Sequence, residues 1–144
     1  MVASMITARQ IDLVQDSFAL VIPVSADAAA EFYRRLFEAA PDTRPLFKND
    51  MAEQGRKLFL TLATVVDALD RLDEVVPVAR ELAIRHVGYG VADRHYDVVG
   101  AALIETLRVG LGPRFDAETE AAWGTAYTIL ADTMVEAARA RRAA

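Results

Sequence analysis

His86 is the side chain of this sequence best suited to chemistry. The chain has two histidines and no cysteine. His86 lies on the apolar stripe of an amphipathic helix with Val75, Ala79 and Leu82, and the break Val-Gly-Tyr-Gly at 87–90 follows directly. A lone imidazole on such a face is either a hydrogen-bonded core residue or the protein ligand of a haem iron. Its position alone favours the core residue.

Length, charge and composition limit the classes of protein to consider. The 144 residues predict one domain over 1–144, with a helical core at about 6–138 that can enclose a sizeable ligand. A net charge of −5 and a pI near 5.0 argue against nucleic acid or an anionic membrane as the main partner. The basic residues Arg139, Arg141 and Arg142 are interpreted as a solvated helix end. We expect no signal peptide, no membrane span and a cytoplasmic location.

Helical periodicity runs through almost the whole sequence, without convincing strand alternation. The predicted elements are a helix from a Thr7 cap to Pro23, a second helix from a Ser25 cap, a short piece at 41–47, and helices over about 51–69, about 73–87, from an Asp93 cap to 110–113, and from Asp116 onward. Together they predict an all-α domain of six to eight helices. The short piece in the middle argues against a simple four-helix bundle.

Five segments, in this order and spacing, resemble bacterial single-domain globins (bacterial haemoglobins) and the haem domain of flavohaemoglobins. They are 32–37 (FYRRLF), 40–47 (APDTRPLF), 85–86 (RH), 95–100 (HYDVVG) and 122–127 (AWGTAY). The resemblance implies a globin fold around a haem pocket, with His86 as the metal ligand on the proximal side. A neutral imidazole occupies one axial position of the iron and leaves the other to a diatomic gas.

The resemblance also assigns residues to the distal side of the pocket. Tyr33 would donate a hydrogen bond to bound O2, Gln54 resembles the distal glutamine, and Leu58 would cover the open iron position. Phe47 resembles the phenylalanine that packs flat against the haem. The alternatives are a core tyrosine bonded to a backbone carbonyl, a solvated glutamine in a first helical turn, and a plain core phenylalanine.

Further pocket residues are implied on the proximal side and at the edge. Tyr96 resembles the tyrosine that joins a glutamate in hydrogen-bonding the proximal histidine, and Val99 and Leu103 follow it on the apolar face of the same helix. Lys57 and Arg85 are candidates to neutralise the haem propionates, or are ordinary solvated charges.

The glutamate of that proximal pair is missing from its expected place. Ala138 stands there, and Glu136 lies two residues earlier, about 200° around the helix. Such a carboxylate would raise the electron density at the iron and favour oxygen activation over storage. The sequence therefore does not support strong proximal electron donation.

The resemblance implies a haem b cofactor and reversible binding of O2, CO and NO, for oxygen transport or supply or for nitric oxide detoxification. The chain has no GxGxxG or P-loop segment, so nitric oxide dioxygenase activity would need an external electron donor, a separate reductase. Whether the protein is an enzyme stays open at this point. The alternative function is a non-haem globin-fold sensor or interaction module. A homodimer is within the range of the family.

Overall fold

The structure is a computed structural model that describes residues 6–47, 50–89 and 91–143. These ranges hold six α-helices and no strand, so the prediction of an all-α domain is confirmed. The helices are α1 Ala8–Val21, α2 Ser25–Ala39, α3 Met51–Asp67, α4 Leu72–Tyr89, α5 Asp93–Leu111 and α6 Ala117–Ala143. Three 3-10 turns occur among them, at Ile22–Val24, Pro41–Leu46 and Gly112–Arg114.

Two of the predicted helix starts are made by the expected side chains. The Thr7 hydroxyl accepts the backbone N–H of Gln10 at 3.0 Å, and the Gln10 side chain accepts the N–H of Thr7 at 3.1 Å. This reciprocal pair satisfies two of the amide groups that a helix start leaves unbonded. Before α6, the Asp116 carboxylate accepts the N–H of Thr119 at 2.8 Å.

The predictions of Ser25 and Asp93 as caps are wrong. Ser25 is the first residue of α2, and its N–H donates to Ile22 because the Ile22–Val24 turn runs directly into the helix. Asp93 is the first residue of α5, after Ala92 at the cap position. Its carboxylate binds Arg139 and Arg142 at 3.0 and 2.9 Å instead of the backbone, so these two arginines are not a merely solvated end.

The predicted break directly after His86 is also displaced. Helix α4 continues to Tyr89, and the N–H of Val91 donates to the His86 carbonyl at 3.0 Å. His86 is therefore held inside the last turn of a helix, where its backbone is fixed by hydrogen bonds.

The main core lies among α1, α2, α3, α5 and α6. The Phe18 ring lies 5.9 Å from the Phe59 ring and 6.2 Å from Trp123. The buried Trp123 Nε1 donates to the Ser17 hydroxyl at 2.8 Å, which satisfies the one polar atom of the indole.

A second, smaller cluster joins α4 to α6 and to the start of α5. Ala79 and Ala83 of α4 are fully buried there, beside Met134 of α6 and Tyr96 of α5. Because alanine is small, α4 approaches α6 closely and His86 is carried on a tightly packed helix.

The stretch Ala8–Ala39 is long and apolar enough to cross a membrane by length and composition. In the structure it consists of α1 and α2, separated by the Ile22–Val24 turn with its proline. Helices of a protein core meet the same criterion, so the stretch is weak evidence for a span. The expectation that the chain has none stays a prediction.

Close packing of α5 on α6 requires Gly100. A substitution of this glycine therefore tests the contact between the two helices. A Cβ added at Gly100 would lie 2.6 Å from Cε2 of Tyr127. We expect Gly100→Ala to lower the free energy of unfolding by about 1–3 kcal/mol, the usual cost of overpacking.

Gly124→Ala is the matched control, because an added Cβ at this helical glycine meets nothing within 4 Å among the described residues. That variant should be neutral or more stable by up to about 1 kcal/mol. Urea unfolding measures both changes. Equal midpoints for the two variants would contradict the close contact.

Candidate functional site

His86 is half-buried in the last turn of α4, and one of its ring nitrogens is fixed by the backbone. Nδ1 lies 2.6 Å from the carbonyl oxygen of Leu82, four residues earlier. A carbonyl only accepts, so Nδ1 carries the hydrogen and the lone pair of the neutral ring is on Nε2. Burial lowers the pKa of His86, against the Leu82 bond, which raises it. The neutral ring that a metal requires is favoured.

Tyr96 packs beside this imidazole. The two rings are stacked with their centroids 6.5 Å apart and an angle of 28° between their planes. The Tyr96 hydroxyl is buried and has no hydrogen-bond partner within the part of the chain that the structure describes. Burial raises the pKa of this phenol, so the hydroxyl keeps its hydrogen. Its backbone carbonyl accepts the Tyr127 hydroxyl, which holds α5 against α6.

The two C-terminal positions compared with the glutamate of the family pattern differ in burial. Ala138 is buried and Glu136 is exposed, as the helical spacing predicts. Nδ1 of His86 donates to a neutral carbonyl, that of Leu82. A carbonyl is a weaker hydrogen-bond acceptor than a carboxylate, so the proton stays on Nδ1 and the ring keeps the character of a neutral imidazole.

Tyr33 brings α2, the end of the Pro41–Leu46 turn and the first turn of α3 together. Its buried ring lies edge-on to the Phe47 ring, with 5.2 Å between the centroids. Its hydroxyl donates to the backbone carbonyl of Gln54 at 3.4 Å, a long and therefore weak bond. Burial raises the pKa of Tyr33 to about 12, so the phenol remains a hydrogen-bond donor at neutral pH.

The aliphatic candidates belong to the main core or pack against it, as Tyr33 does. Leu58 and Leu103 line a small apolar cavity of about 10 Å³ together with Phe32. Val99 is half-buried and packs against the same core. The side chain of Gln54 is half-buried as well. The structure thus places Tyr33, Phe47, Gln54 and Leu58 in one region of the molecule.

Lys57 and Arg85 are both exposed, which suits a propionate partner at a pocket edge and a solvated charge equally. The structure therefore adds no preference between the two roles that the sequence left open for them.

The structure adds His95, which the sequence analysis included only in a matching segment. Its ring is buried, Nδ1 accepts the N–H of Ala92 at 2.9 Å, and Nε2 binds Asp42 at 3.0 Å. A signal existed for the first bond, since His95 is three residues after a helix start, where Glu or Gln makes this contact in a capping box. No local signal pointed to Asp42, which is 53 residues earlier.

Comparison with known families gives one match for most of the chain. The model of the family described as Globin matches residues 30–134. This chain belongs to the globin family. The matched range contains the candidate site residues from Tyr33 to Leu103, and it ends before Glu136 and Ala138.

Curated relatives of this globin include flavohemoproteins of two bacteria. The flavohemoprotein of Vibrio cholerae is 27% identical over 135 residues, which cover 92% of this chain and 34% of the relative. That of Pseudomonas aeruginosa is 34% identical over 110 residues, covering 74% and 28%. The chain therefore spans about a third of the length of the curated relatives it matches.

Two solved structures are similar to this globin over nearly its whole length. A bacterial globin from Campylobacter jejuni has a TM-score of 0.83 and 26% identity, and the match covers 96% of this chain and all of the other (100%). An engineered carbene transferase, described as a putative nitric oxide dioxygenase from Rhodothermus marinus, has a TM-score of 0.86 and 27% identity, with 96% and 97% covered. The predicted globin fold is confirmed.

The burial of Tyr33 can be tested by the pH dependence of stability. The pKa of Tyr33 rises from 10.0 in the unfolded chain to about 12 in the fold. The stabilisation from this shift is complete below pH 10 and is lost as the pH rises through about 12. A shift of this size corresponds to about 3 kcal/mol.

Over this alkaline interval, the wild type should therefore lose about 3 kcal/mol more unfolding free energy than Tyr33→Phe, which lacks the ionising hydroxyl. Urea unfolding of both proteins, at a pH below the interval and at one above it, gives the comparison. The same loss in both proteins would mean that the phenol is already solvated in the fold.

Proposed function

We propose that this globin binds one haem b, with His86 as the protein ligand of its iron. The observation that carries the proposal is the hydrogen bond from Nδ1 of His86 to Leu82, because it directs the lone pair of a neutral, half-buried imidazole to Nε2. The chain has no cysteine for covalent attachment, which fits a haem of the b type.

The other candidate residues fit such a group by their chemistry. Phe47, Leu58, Val99 and Leu103 offer aromatic and aliphatic surface to an apolar macrocycle. The Tyr96 hydroxyl is buried beside His86 and has no hydrogen-bond partner among the described residues. A bound group, or a water molecule admitted together with that group, would supply the missing partner. Exposed Lys57 and Arg85 would pair with the propionates at the edge.

The ligands of such a haem would be diatomic gases: O2, CO and NO. When bound, the haem would supply an iron position for a gas ligand. Tyr33 keeps its hydrogen and donates it only weakly to Gln54, so its hydroxyl can turn to a gas ligand at little cost. Leu58 would limit the room beside that ligand. Gln54, whose backbone carbonyl accepts the Tyr33 bond, would be the second distal residue.

The proximal side favours holding a gas over activating it. Nδ1 of His86 donates to a neutral carbonyl, and a carbonyl shifts less negative charge onto the ring than a carboxylate would. The role that follows is oxygen supply or transport, in the cytoplasm. A second role, nitric oxide dioxygenase with an electron donor on a separate protein, is supported by the likeness to the Rhodothermus marinus protein described as a putative nitric oxide dioxygenase.

The first test is the absorption spectrum of the protein with haem, for the wild type and for His86→Ala. The wild type should bind one haem and give a sharp Soret band that shifts when CO is added to the reduced form. His86→Ala should lose that spectrum because the iron loses its protein ligand, and free imidazole should restore it. A wild type that stays colourless with added haem would instead indicate a non-haem module.

The second test concerns Tyr33. In Tyr33→Phe we expect O2 to dissociate about tenfold faster, since a hydrogen bond in a buried site contributes about 1–1.5 kcal/mol. Dissociation of CO, which gains less from a donor because it carries less negative charge, is the internal control and should change less. Stopped-flow displacement measures both rates. Equal changes for the two gases would assign Tyr33 a packing role only.

A further inference from the structure

His95 is a buried histidine that the proposed function does not use. It is 5% exposed and lies three residues after Ala92, the cap position of α5. Nδ1 accepts the N–H of Ala92 at 2.9 Å, so in a neutral ring Nε2 carries the hydrogen and donates it to Oδ2 of Asp42 at 3.0 Å. A single tautomer of the neutral ring thus makes both hydrogen bonds.

Asp42 belongs to the Pro41–Leu46 turn and is the other end of this link. Its pKa is lowered, first by the hydrogen bond from His95 and then by that from Arg94, so it remains a carboxylate at neutral pH. Arg94 reaches the same oxygen at 2.6 Å, but its side chain is 70% exposed, and exposed ion pairs contribute little. The bond from His95 is made by a side chain that is only 6% exposed, so water competes less for this donor than for Arg94.

The two ends of the link lead to opposite groups of site residues. The Pro41–Leu46 turn runs directly into Phe47, whose ring contacts Tyr33. On the other side, the residue after His95 is Tyr96, whose ring stacks on His86. The bond between His95 and Asp42 therefore joins the segment that carries Phe47 to the segment that packs on His86.

We infer that His95 is a positioning residue of the haem pocket, which holds the Phe47 segment at a fixed distance from the helix start beside His86. This inference rests on the proposed function. His95 does not contact the reacting atoms, and it acts through Asp42 and Ala92. The effect of His95 is to keep the pocket closed around the haem. Without the His95 side chain, the edge of the pocket at the Pro41–Leu46 turn opens.

The rate of haem loss tests this role in two variants and a rescue. His95→Leu and Asp42→Ala should each lose haem about tenfold faster than the wild type, because each removes a hydrogen bond to a charged group. His95→Gln should stay near the wild-type rate, since a glutamine at this place accepts from the helix start and donates with its amide. Asp42 is half-exposed, so Asp42→Ala keeps the test valid if His95→Leu does not fold.

Hydrogen exchange of the apo-protein tests the link without haem. In His95→Leu, the amides of Thr43 and Phe47 should exchange faster although the substitution is in α5, and in Asp42→Ala the amide of Ala92 should do so. Ser17→Ala is the matched control, because it removes a buried bond to Trp123 between α1 and α6. It should lower stability without a selective effect on these three amides.

The outcomes separate the two proposals. A wild type that takes up no haem overturns the proposed function, while the exchange data still report on the link. If the wild type binds haem and His95→Leu changes neither haem loss nor exchange in the turn, the positioning role is wrong. A loss of haem in Ser17→Ala as fast as in His95→Leu, with no rescue by His95→Gln, would assign the effect to overall stability and also overturn it.

Discussion

The hydrogen bond between Nδ1 of His86 and the Leu82 carbonyl is the constraint on which this site depends. Its acceptor is one turn earlier on the same helix, so the direction of the imidazole is set by the position of α4. That position follows from the fully buried alanines Ala79 and Ala83, which let α4 approach α6. A core contact between small residues thereby determines where the lone pair of a potential metal ligand points.

The architecture was predictable because its signals are local. Periodicity gave the helices, and the Thr7 cap needed only the three residues that follow it. Ser25 and Asp93 look like caps in sequence, but each has a better partner in the fold: the preceding turn for Ser25, and the two arginines at the end of α6 for Asp93. Partners that lie far away in sequence cannot be found from local patterns.

Some residues of the candidate site were also predictable from the sequence, whereas a contact between distant segments was not. The sequence resemblance suggested His86, Tyr33 and Phe47, and the fold brings Tyr33 and Phe47 into contact. The resemblance also placed Ala138 where the family pattern has a glutamate, and this alanine is buried in the fold. The link from His95 to Asp42 was out of reach, because it joins residues 53 positions apart and needs a particular tautomer. Spacing along one helix fixes a face, whereas contacts between segments depend on the packed structure.

In the proposed function, His86 ligates a haem iron as a neutral imidazole whose Nδ1 donates to a carbonyl. Resonance Raman spectroscopy of the reduced, haem-loaded protein tests it directly through the iron–histidine stretching band. We expect a band at the frequency of a neutral histidine, below that of a histidine paired with a carboxylate, and no such band in His86→Ala. A band that persists in His86→Ala would show that His86 is not the ligand, and one at the frequency of an imidazolate would show that the bound ring is not neutral.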